Sequence, residues 1–257
     1  MRTLVLSIGN TSLFGGVFSG NRLADSFRAP VRDAAGRGFD RLVTVRIRGK
    51  IDAAVVCSVV PALTPGVARQ VTGAFGVRPR ILTSDSPHGI KIGYRDPRRL
   101  GVDRLAAAIG AHARFPKRNV LVVDCGTATT VTALRRDGAI LGGAIFPGIE
   151  LWARALAAHT AQLPEIRLRK PVHALGRTPE EAIASGIWHG HAGALREVIK
   201  QISQEAFGKT RALVIGTGGN AENGAVGGLF SILEPNLILY GLAACAKAPG
   251  VWDLPKS

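Results

Sequence analysis

The chain has no apolar run approaching the roughly 18 residues that cross a bilayer, so a transmembrane helix is not expected. It is also poor in cysteine. Cys57, Cys125 and Cys245 lie far apart, without the paired spacing of a zinc site or a disulfide framework, so a reducing cytoplasm is the expected location. Acidic residues are scarce: 18 Asp and Glu face 33 Lys and Arg, a net charge of +15. Aromatic residues are few and do not interleave with the basic ones. The densest basic stretch, Arg22 to Lys50, contains only Phe27 and Phe39. A nucleic-acid partner is therefore disfavoured though not excluded, and a basic face that attracts small anions is preferred. The N-terminal MRTLVLSIGNTS has no small-residue cleavage site, and it reads as a buried first strand rather than a signal peptide.

What is present is a globular composition: 46% hydrophobic residues and 32 glycines gathered in short motifs. Leu4–Leu6, a Gly-Asn-Thr turn and Leu13–Phe18 predict an N-terminal hairpin. Gly15 and Gly16 imply a bulge or a closely approached backbone. A buried strand is expected at 51–60, a helix at 63–75, a short strand at 80–83 and a loop at 87–100. Gly101–Ala113, rich in Ala and Leu, predicts a helix with Asp103 in its first turn. The pattern then restarts. Val120–Val123 is an apolar strand, followed by a polar turn, a second strand to Leu134, an Asp137-Gly138 hairpin turn, and a strand over 139–146. Helices are expected over 149–161, 178–206, where Thr178-Pro179 reads as a cap and first turn, and 236–246, with a strand at 212–215 between the last two. Strand–turn–strand followed by helices thus occurs twice, which suggests two lobes, 1–116 and 117–257.

Phosphate binding needs backbone N–H donors free of Cβ obstruction, hydroxyl donors, and a carboxylate for the accompanying cation. The turn Asp124-Cys125-Gly126-Thr127-Ala128-Thr129-Thr130 offers all three. The turn Ser7-Ile8-Gly9-Asn10-Thr11-Ser12 offers the glycine, an amide and hydroxyls, but no carboxylate. Gly216-Thr217-Gly218-Gly219-Asn220 follows a strand and suits either a nucleotide-facing loop or an ordinary connection. Asp103 beside Arg104 suits a general base next to a grip for an acidic substrate, or simply a helix N-terminus with a solvated arginine.

Taken together, Gly93-Tyr94, Leu100–Arg104, Asp124–Thr130, Gly142–Gly148, Leu163-Pro164 and Gly176–Thr178 resemble, in order and spacing, the type III pantothenate kinases. The likeness runs from about Leu4 to Ala246. It implies an α/β fold of duplicated ribonuclease H-like lobes with a cleft between them, as in actin-like ATPases and sugar kinases. It also implies ATP-dependent phosphorylation of pantothenate at the start of coenzyme A synthesis, with Mg2+ and a monovalent cation, K+ or NH4+, in a homodimer. By the same resemblance Asp103 is the general base. Tyr94, Gly101, Val102, Asp103, Arg104 and Thr178 contact pantothenate, Thr178 near a dimer interface. Ser7, Ile8, Gly9, Asn10, Thr11, Ser12, Leu13, Phe14 and Thr127 meet ATP, and Asp124 holds the monovalent cation. Two positions depart from the family pattern: Ser7 stands where an Asp is usual, and Thr132 where a further Asp is usual. They leave open a second reading, a catalytically impaired relative acting as a regulatory or nucleotide-binding protein. A kinase for another small hydroxylated acid is a third.

Overall fold

A computed structural model describes residues 1–34, 38–39, 46–222 and 224–249. Part of the basic stretch from Arg22 to Lys50 and the end of the expected second lobe lie outside the described residues. The chain forms two compact units that follow contacts rather than chain order. The first takes Met1–Lys117, Gly138–Ile140 and the chain from Asn236 onward; the second takes Arg118–Asp137 and Leu141–Pro235.

The first unit is built on a sheet in the order β3-β2-β1-β4-β5. β1 (Arg2–Ile8), β2 (Ser12–Ser19) and β3 (Arg22–Pro30) form an antiparallel meander, and β4 (Ala53–Ser58) and β5 (Arg80–Ile81) add in parallel. β1 is buried from Thr3 to Ile8, as a strand covered on both faces must be. β2 carries the expected irregularities. Gly15 lies against the Phe27 ring, where a Cβ would overlap it, and the β2–β3 register shifts between Val17 and Phe18. β3 has no counterpart among the strands expected from the sequence: only Phe27 in it is buried, so it shows no hydrophobic alternation.

Helix α1 (Thr64–Phe75) follows β4, and α2 (Val102–Arg114) follows the Gly- and Pro-punctuated loop. That loop contains a two-residue strand, β6 (Lys91–Ile92), pairing in parallel with Ala139 and Ile140 at the start of the strand below. The apolar helix α5 (Leu237–Cys245) closes this unit by packing on α2. The two helices touch at Gly110 and Gly241. A Cβ at either would overlap the backbone of the other helix, so only small residues permit this approach.

The second unit repeats the plan. β7 (Val120–Cys125) pairs antiparallel with β8 (Ala128–Leu134), β9 (Ala139–Pro147) follows β8 in the sheet, and β10 (Leu213–Thr217) and β11 (Ile232–Leu233) add in parallel beyond β7. The order β9-β8-β7-β10-β11 reproduces β3-β2-β1-β4-β5 strand for strand. Helices α3 (Ile149–His159) and α4 (Pro179–Phe207) cover it. The α/β fold is thus the duplicated ribonuclease H-like arrangement expected of actin-like ATPases. Among the described residues no helix is long and apolar enough to cross a membrane.

Candidate active site

In the first unit the turn from β1 to β2 is closed by Gly9 N–H donating to Ser12 O at 2.9 Å. Ser7 and Ile8 end β1, opposite Phe14 and Leu13; these four are buried, while Asn10 and Thr11 are exposed at the tip. The Phe14 ring is covered by the Arg28 guanidinium at 3.8 Å. On its other side Ser7 is the register partner of Cys57 in β4, and the two side chains are hydrogen-bonded. Burial pushes the Cys57 thiol up to about 12, and the nearby Asp103 charge adds to the shift, so the thiol stays protonated at neutral pH.

Asp103 sits in the first turn of α2 and is half-buried. Its Oδ1 accepts from the Arg104 N–H at 2.8 Å, which leaves Oδ2 for another proton. Arg104 is the first fully buried residue of the helix, at 7% exposure. One guanidinium N–H donates to the Tyr94 hydroxyl at 2.6 Å, and the guanidinium carbon lies 5.7 Å from the Tyr94 ring centre. A buried arginine oriented by a tyrosine is a prepared partner for a carboxylate, because its planar fork binds both oxygens at once. Gly101 precedes the helix, and a Cβ there would crowd Asp103 Oδ1. The structure therefore brings Tyr94, Gly101, Val102, Asp103 and Arg104 together, and Cys57 links Ser7 to this group.

The second unit holds Asp124 and Thr127. Gly126 N–H donates to Ala128 O at 3.2 Å across the turn, and Gly148 N–H donates to Thr127 O at 3.0 Å. The Gly216–Asn220 loop belongs beside them. Thr217 is the register partner of Asp124, and Asn220 N–H donates to Cys125 O at 2.9 Å. Gly218, at φ +89, lies against Asp124 so closely that a Cβ would overlap Oδ1. Only glycine tolerates both the left-handed backbone and the approach. In the sequence Gly218 is marked only by the Gly-rich run after an apolar strand, which alone is ambiguous.

Thr178 caps α4. Its Oγ1 accepts from Glu181 N–H at 3.3 Å while the Glu181 carboxylate accepts from Arg177 N–H at 2.8 Å. The threonine is exposed, and this cap does not use its hydroxyl proton. Thr132, the second departure, is a buried strand residue of β8. Among the described residues no group of three or more His, Cys, Asp or Glu side chains is placed to hold a metal ion.

The type III pantothenate kinase family model matches residues 3–201. A type III pantothenate kinase of Legionella pneumophila is 35% identical, over 95% of this chain and 97% of that one. Type III pantothenate kinase 1 of Francisella tularensis is 36% identical over 98% of both. Among solved structures, a putative Baf family transcriptional activator from Campylobacter jejuni superposes with a TM-score of 0.60 at 18% identity, over 95% of this chain and 97% of that one. A putative 2-dehydro-3-deoxygalactonokinase from Sinorhizobium meliloti gives 0.58 at 16%, over 96% and 98%. At such identities these two speak to fold alone. The sequence relatives and the family match say more: the chain belongs to the type III pantothenate kinase family.

Proposed function

We propose that this protein transfers the terminal phosphoryl group of ATP to the terminal hydroxyl of pantothenate, giving 4'-phosphopantothenate, the first step of coenzyme A biosynthesis. The observation that carries the reading is the prepared trio of Asp103, Arg104 and Tyr94, in a chain matched to the family over residues 3–201. Asp103 Oδ2 takes the proton of the acceptor hydroxyl as the P–O bond forms. Arg104, oriented by Tyr94, pairs with the pantothenate carboxylate, and Gly101 and Val102 line the same helix start. Ser7–Phe14 and Thr127 bind the nucleotide phosphates. Phosphoryl transfer asks the protein for positioning and charge neutralisation rather than covalent help, which suits this set of groups.

Asp124 would hold the monovalent cation, K+ or NH4+, and Mg2+ would bind chiefly through the nucleotide; bound cations would neutralise charge on the phosphates. A homodimer completes the reading, with Thr178 presented near the subunit interface. The loop before it supports this, since Val172 and Leu175 are 90% and 76% exposed and want cover. A cytoplasmic setting agrees with three free, buried cysteines. The test is ATP-dependent phosphorylation of pantothenate by the purified chain with Mg2+, with and without K+ or NH4+. Turnover that needs the monovalent cation is expected; a folded protein that binds ATP without turning pantothenate over would remove the reading.

A further inference from the structure

Among the described residues, two buried polar atoms of the second unit lack a protein partner: His191 Nδ1 and Trp152 Nε1. They belong to one cluster. His191, on α4, is 2% exposed; its ring lies 5.6 Å from the Phe146 ring and 5.9 Å from the Trp152 ring, centre to centre, meeting the indole nearly edge-on at 82°. Gly190 makes room for the indole: a Cβ there would stand 3.2 Å from it. The other imidazole nitrogen, Nε2, is 3.0 Å from Oγ1 of Thr129, which is wholly buried in β8. Burial holds the His191 pKa below its ordinary value, so the ring is neutral and carries a single N–H. The indole N–H can only donate. A buried N–H left without an acceptor pays its full desolvation cost, which is why such groups bind ordered water.

We propose that one buried water joins Trp152 Nε1 to His191 Nδ1 and makes His191 a positioning residue for the Asp124–Thr130 turn. The water accepts from the indole and donates to Nδ1. That fixes the tautomer with its proton on Nε2, and Nε2–H donates to Thr129. Thr129 is the register partner of Cys125, whose carbonyl accepts from Asn220, so the bond ties the stem of the turn to α4. The functional half of this inference rests on the reading of that turn as nucleotide-binding.

Nitrogen NMR of histidine-labelled wild type reads the tautomer directly. An unprotonated Nδ1 and a protonated Nε2 are expected for His191; the opposite tautomer, or a charged ring at neutral pH, overturns the proposal. Calorimetric titration with a non-hydrolysable Mg-ATP analogue reads the positioning. His191→Gln, whose amide reaches as far as Nε2, should stay within about twofold of wild type. His191→Asn and His191→Phe should bind about tenfold more weakly, and Trp152→Phe should lie between. Equal weakening by Gln and Phe, or none by Phe, overturns it. Both measurements proceed without turnover, so a failure of the kinase reading would show separately, as binding without phosphorylation of pantothenate.

Discussion

The Ser7–Ser12 and Asp124–Thr130 turns occupy the same place in the same strand order, yet they differ in what backs them. Ser7 ends β1 against a protonated thiol, Cys57, in a buried neutral pair. Asp124 stands at the end of the matching strand, with Gly218 so close to its carboxylate that a Cβ there would overlap Oδ1. The two units thus keep the same turn backbone and, on the function proposed above, divide the chemistry. In the first unit, charge is supplied by Asp103 and Arg104 on a helix. In the second it is supplied from the turn itself.

Removing the charge of each unit should give different signatures. The largest effect is expected for Asp103→Asn, which keeps the shape and loses the base: kcat falls by about 10²–10⁴-fold while nucleotide affinity holds. Steady-state kinetics with calorimetry separates the two. Asp124→Asn should come next, with activity falling by roughly 10²-fold and the response to K+ or NH4+ lost. If Asp124→Asn keeps its cation response, the carboxylate of the second turn is not the cation ligand. Gly218→Ala is smaller and tests the contact rather than the charge. A methyl at a left-handed backbone and against Asp124 should cost about 1–3 kcal/mol in denaturant unfolding and weaken nucleotide binding about tenfold.

Both turns were legible in the sequence because each follows an apolar run, and Gly, Thr and Asp punctuate such runs visibly. Without the resemblance, the helix start at Asp103–Arg104 is legible only as an ambiguous pair. Its meaning lies in Tyr94, ten residues away, whose hydroxyl meets the buried guanidinium; nothing in the spacing of a loop tyrosine announces that. The third loop reads evenly as function or connection in the sequence, and strand pairing shows only where it lies, since Thr217 aligns with Asp124 once β10 lies beside β7. The return of α5 to the first unit was hidden for a related reason. Chain order suggests the second lobe, whereas the Gly110–Gly241 approach that recruits the helix is a contact between residues 131 positions apart.

The comparison is sharpened most finely by making the first turn like the second, with Ser7→Asp. A carboxylate at position 7 enters a site 7% exposed, beside a thiol already pushed up to about 12 by burial and by Asp103. It puts a charge where a neutral Ser7–Cys57 pair now sits, and it adds a like charge near Asp103. The expected outcome is a protein less stable by roughly 1–3 kcal/mol, with kcat/KM changed less than tenfold from an already active wild type. The same thiol gives the sign of a pH effect. A Cys whose folded pKa lies above the unfolded value of 9.0 keeps its proton when the unfolded chain has lost it, so its contribution to stability falls as pH rises from about 9 towards about 12. Cys57→Ala should flatten part of that alkaline loss in thermal melts. If instead Ser7→Asp creates activity where wild type has none, the first turn has lost its catalytic share, and the division of labour between the two units would have to be read as a loss.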